Sequence, residues 1–168
     1  MRSRVGPVLL VLALATASCD SVVGLGGSVT RISRGTSFGE CIGYCRTQLD
    51  VTPTQVTVTQ LSWDPHSPPL VSNGPSSGQT WTELTGAFAG SGFQGLQATY
   101  GCPDCADGGA EWVEVEFDDG ASKRVTFEYG HAPQALQPAV DELRRIFGSI
   151  FGEQPFGSLA PSTAAAGR

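Results

Sequence analysis

The residues best placed to do chemistry are four cysteines in two close pairs, "CIGYC" at 41–45 and "CPDC" at 102–105. Such a set has three uses: dithiol redox exchange, a four-thiolate zinc site, or disulfide staples. Redox exchange needs the first cysteine of C-x-x-C at a helix N-terminus, where free N–H groups stabilise a thiolate. Here the chain runs from Cys105 through Asp107, Gly108 and Gly109 towards a strand beginning near Glu111, which leaves no such helix. Zinc stays open as an alternative, because C-x-x-x-C plus C-x-x-C supplies two thiolate pairs. Disulfides are favoured in an oxidising compartment, and four cysteines allow three pairings. In a straight strand Cys41 and Cys45 would lie about 13 Å apart, too far to join. Gly43 lets the segment turn, so local pairs Cys41–Cys45 and Cys102–Cys105 are favoured over bonds between the two segments.

Other chemical candidates read more simply as structure. "GPSSG" at 74–78 matches G-x-S-x-G, but a nucleophile elbow needs a buried strand before it, and Ser76 follows a proline-rich stretch. His66 and His131 have no partner at strand or helix spacing. Asp104, Asp107, Asp118 and Asp119 would hold calcium only if their loops converged, and none has EF-hand spacing. Glu114 and Glu116 alternate with valines, which makes them a solvated strand face. Trp63 and Trp81 are expected to pack in the core or at its edge; Trp112 falls on the polar face of its strand. No catalytic residue, resident metal or cofactor is expected.

The compartment is written at the N-terminus. Arg2 and Arg4 precede an apolar run, Val8 to Ala15, and then "TASC", residues 16–19. This order is a bacterial export signal, too short to span a bilayer. "TASC" resembles a lipobox in which Cys19 becomes the lipidated first residue, although Thr16 stands where leucine is usual. The alternative is a soluble secreted protein cleaved before Ser18. Cysteine arithmetic favours lipidation: five cysteines less Cys19 leave an even four.

Ten basic and sixteen acidic residues give a net charge of −6, and loss of Arg2 and Arg4 takes it to −8. A chain this acidic, with a single lysine, has no footprint for nucleic acid and no polybasic patch for anionic lipid. The lipid at Cys19 would hold it to a membrane.

Within the mature chain, residues 19–37 are rich in glycine and serine and read as a flexible tether. Residues 151–168 read as a disordered tail. Residues 38–150 form the single folded domain. Val56 and Val58 alternate with Thr57 and Thr59 in one hairpin. Val113, Val115 and Phe117 oppose Val125 and Phe127 in another. There, side-chain parity requires a three-residue turn, Asp118-Asp119-Gly120, which pairs Val113 with Val125 and Glu114 with Arg124. "TWTE" predicts a helix over 80–89 capped by Thr80. Leu136, Val140, Leu143, Phe147 and Ile150 predict a second over about 135–150, with Pro138 in its first turn. The expected order is β-β-α-β-β-α, an α+β fold whose antiparallel sheet carries both helices on one face.

"GECIGYC" before a hairpin, a capped helix containing Trp81, and a hairpin ending "VTFEYG" before a last amphipathic helix resemble an uncharacterised family of bacterial envelope lipoproteins. The resemblance covers about residues 37–150. It implies an envelope location and an α+β domain, and no activity, ligand or catalytic residue. The reading is therefore a membrane-tethered envelope lipoprotein with a non-enzymatic binding or structural role, with an envelope protein as its candidate partner. The alternatives are an inhibitor or partner-binding domain for an envelope hydrolase, and a zinc-binding lipoprotein using the four cysteines.

Overall fold

The computed structural model describes residues 27–152. The signal peptide, the lipidation residue Cys19, residues 19–26 of the expected tether and residues 153–168 of the expected tail lie outside the described residues.

Seven strands make one sheet: β1 Val29–Ser37, β2 Tyr44–Val51, β3 Gln55–Ser62, β4 Leu70–Pro75, β5 Thr99–Tyr100, β6 Ala110–Phe117 and β7 Ser122–Glu128. Their spatial order is β4-β3-β2-β1-β6-β7-β5, antiparallel throughout except where β5 pairs with β7. The helices are α1, Gly78–Gly90, and α2, Gln137–Phe151. This mostly-sheet mixed fold corrects the expected β-β-α-β-β-α antiparallel architecture. Four strands precede α1, and the short parallel β5 follows it.

The largest correction is β1. Part of the stretch read as tether is the central strand, paired with β2 on one side and β6 on the other. Its sequence, "VTRISRGTS", hides this. Alternation does place Ile32, Arg34 and Thr36 on one face, but two of these three are polar, so no apolar period is visible. Strands β4 and β5 are hidden in the sequence for other reasons. The first is an edge strand ending in Pro75, where the lost N–H donor is tolerated. The second is too short to show any period.

One apolar core joins the helices to one face of the sheet. Leu84 and Phe88 of α1 and Val140, Leu143 and Phe147 of α2 pack with Ile32, Leu49, Val58, Val113, Val115 and Phe127. The β6–β7 register pairs Val113 with Val125 and Glu114 with Arg124. The turn between them has Gly120 at φ 83°, the left-handed position of a three-residue loop. Helix α1 starts earlier than "TWTE" suggests: Ser77 is the N-cap, and its Oγ accepts from the Thr80 N–H at 3.0 Å. Pro138 sits in the first turn of α2.

At one end the core turns polar. Arg34 and Glu111 are fully buried, with the Arg34 Nε donating to Glu111 at 2.6 Å. The other oxygen of Glu111 accepts from the Gly130 N–H at 3.1 Å and from Arg144 of α2 at 3.5 Å. Burial, the dominant influence, lowers the Arg34 pKa from its ordinary value, and the Glu111 carboxylate opposes it. This triad ties β1, β6 and α2 together beneath the helical layer.

Candidate functional site on the open face of the sheet

The face of the sheet away from the helices carries the most elaborate side-chain geometry. Its construction starts at Cys41 and Cys45, which are joined to each other with a Cα–Cα separation of 5.7 Å. Gly43, at φ 91°, makes the turn that the bond requires. Immediately afterwards β2 bulges: Tyr44 faces Ser62 and Arg46 faces Leu61, so β2 advances two residues while β3 advances one. Bulges re-aim the side chains beside them. Cys45 is buried, and Arg46 stacks over the Trp63 ring at 4.5 Å from its centroid. Trp63 is itself fixed by its Nε1–H donating to the Phe38 carbonyl at 2.8 Å.

A second arginine–tryptophan stack stands on β6 and β7. The Arg124 guanidinium lies 4.0 Å over the Trp112 ring, and its Nη2 donates to Glu114 at 2.7 Å. Beneath, Trp112 lies flat on Gly35 of β1, where a Cβ would come within 2.2 Å of the indole. Only glycine permits that approach. Between the two stacks is a groove of about 200 Å³, lined by Arg46, Gln48, Leu61, Trp112 and Arg124, with Ser37 also on its wall.

Charge distinguishes Arg46 from the other cations. Arg31 pairs with Glu116, Arg34 with Glu111, Arg124 with Glu114, Arg144 with Glu111 and Asp141, and Arg145 with Glu83 and Glu142. Lys123 donates to the Gln94 and Leu96 carbonyls. Among the described residues Arg46 alone of the arginines has no carboxylate partner, and its buried Nε has no hydrogen-bond acceptor.

The other sequence candidates are scattered. Cys102 and Cys105 are joined to each other, Cα–Cα 5.5 Å, in an exposed loop. The Cys102 N–H donates to Glu128 at 2.8 Å, which moors that loop to β7. The two cysteine pairs lie in separate segments, each at disulfide distance, and the described residues include no cluster of three or more metal-ligating side chains. Asp104 and Asp107 sit at one end of β6 and Asp118 and Asp119 at the other, separated by an eight-residue strand, so they form no common site. The Asp118 carboxylate instead accepts from the Ser28 N–H and that of Asp119 from the Ala121 N–H. Glu114 and Glu116 each face an arginine. His131 lies 3.5 Å from Glu128 at an exposed corner, and the His66 backbone N–H donates to Asp64 in the loop after β3. Ser76 precedes the α1 cap with no histidine in contact, and Trp81 packs against the core.

Sequence parity places Trp112 on the polar face, as the β6–β7 register does. Gly35 and Arg46 give no signal in the sequence, since one sits in a stretch with the composition of a linker and the other depends on a bulge. A second concavity, of about 380 Å³, opens on the helical side between α1 and strands β1 and β6, and is lined by Phe88, Phe93, Val115 and Phe117 among others.

No family model matches the chain, and no curated protein does. No helix among the described residues is long and apolar enough to cross a membrane. Two disulfides are compatible with an exported protein.

Proposed function

We propose that this protein is an exported, lipid-anchored binding module of a bacterial envelope that acts without catalysis. The observation that carries the reading is the open-face groove. It is lined by Arg46, which stacks on Trp63 beside it, and by the Arg124–Trp112 stack, and Arg46 is positioned by a disulfide-closed turn and a bulge. Convergent donors and rigid aromatics suit recognition, and they include no nucleophile with a base in reach. Export and anchoring are supported by the Arg2/Arg4 flank, the apolar run to Ala15, and Cys19.

The test is an intact mass of the native protein together with retention from envelope extract. The expected mass is that of a chain beginning at a lipidated Cys19 with its four other cysteines oxidised. An unmodified N-terminal Ser18 overturns the anchor, and four free thiols overturn export. An immobilised protein that retains nothing from its own envelope overturns binding.

A further inference from the structure

We propose that the open-face groove binds a single carboxylate group, carried by an acidic sugar or by the free C-terminus of a peptide. This names the ligand class of the binding-module reading and rests on it. The first argument is unspent hydrogen-bonding capacity. A buried N–H without an acceptor is destabilising, and native structures rarely keep one without a reason. The Nε of both Arg31 and Arg46 on this face lacks an acceptor, but Arg46 is the only described arginine that also lacks a carboxylate, so its guanidinium charge is the one left uncompensated. Stacking over Trp63 covers a face of the guanidinium and leaves the N–H groups along its edge to meet a planar, two-oxygen acceptor.

The second argument is charge. Arg46 and Arg124 flank the groove, and Glu114 offsets Arg124, which leaves one positive charge. Asp50 lies two residues along β2 from the groove residue Gln48 and accepts from its amide, so a second negative charge on the ligand would be repelled. The balance favours a monoanion over phosphate. A third argument is size. About 200 Å³ is below the volume of pockets that enclose whole small molecules, so the groove takes an end group and leaves the ligand body outside. There the half-exposed Trp63 indole and Leu61 offer an apolar surface for a sugar ring or a peptide side chain.

The experiment is titration of the full mature protein, in detergent where lipidated, followed by tryptophan fluorescence and calorimetry. The probes are D-glucuronate and N-acetylalanine, with glucose, N-acetylalaninamide and inorganic phosphate as controls. At least one carboxylate should bind saturably, and its neutral counterpart at least tenfold more weakly. Whichever carboxylate binds identifies the source. Arg46→Met should weaken binding at least tenfold and Arg46→Lys several-fold, because a lysine lacks the planar fork. Glu114→Gln should tighten it several-fold by releasing Arg124, a gain that general damage to the fold would not produce. Failure of both carboxylates to bind, equal binding of the neutral analogues, tighter binding of phosphate, or unchanged affinity in Glu114→Gln each overturns the proposal. A lipidated, envelope-located protein that fails the titration sinks this inference and leaves the anchor standing. An unlipidated protein that passes does the reverse.

Discussion

Glu111 shows how a single residue can hold an end of the core together while looking ordinary in sequence. In the sequence it marks only the start of a strand that follows two glycines. In the fold it is completely buried and receives Arg34, Arg144 and the Gly130 N–H. Breaking a buried pair strands the remaining charge, which costs about 3–5 kcal/mol. Glu111→Gln should therefore lower stability by about that amount in urea unfolding, whereas Arg34→Met with Glu111→Leu should recover much of the loss. If the single substitution falls within about 0.5 kcal/mol of wild type, the pair is not the anchor described. Gly35 makes the opposite case, a residue important for what it lacks. Gly35→Ala places a methyl group inside the Trp112 ring position, so the indole must lift. Overpacking of this kind costs about 1–3 kcal/mol, and the Trp112 emission should shift with it. Neither residue was legible in advance, because burial of a charge and contact with a flat ring are tertiary facts with no local period.

At the scale of elements, legibility followed amphipathicity. The β6–β7 hairpin and α2 alternate or repeat cleanly, and their register or phase could be read from parity and three- and four-residue steps. Strand β1 could not, because a central strand whose core face carries Arg34 and Thr36 has the composition of a linker. The two readings of this segment predict different behaviour. Deleting residues 20–37 should leave a tethered domain intact; removing the central strand splits the sheet between β2 and β6. The expected result is loss of cooperative unfolding in the truncated chain, measured by thermal melting and near-ultraviolet circular dichroism. The staples obey a different arithmetic. Each disulfide closes a loop of only a few residues, so the chain-entropy model gives about 2 kcal/mol apiece. Reductant should therefore lower the melting temperature and chelator should leave it unchanged. A loss of stability with chelator alone would show that the cysteines hold a metal. Removal of the 41–45 bond should also weaken ligand binding, since the turn and bulge set the direction of Arg46; removal of 102–105 should not.

For the whole molecule, the position of β1 changes the geometry of anchoring. Nineteen residues of tether would have let the domain range about 60 Å from a bilayer. With the first strand beginning at Val29, nine residues separate it from Cys19, and those ten residue-to-residue steps span at most about 35 Å. A lipid at Cys19 would then hold the sheet close to the membrane surface. A net charge of −6 gives the chain no attraction of its own to anionic lipid. Membrane association should accordingly depend on the anchor alone. Cys19→Ser is expected to yield a soluble protein or an uncleaved precursor, while the wild type sediments with membranes and resists extraction by high salt. Fractionation in low and high salt, followed by mass analysis of the N-terminus, separates the cases. Wild-type protein released by salt would point to a charged surface as the tether, and Cys19→Ser protein that still sediments as a processed chain would remove the lipid from the account.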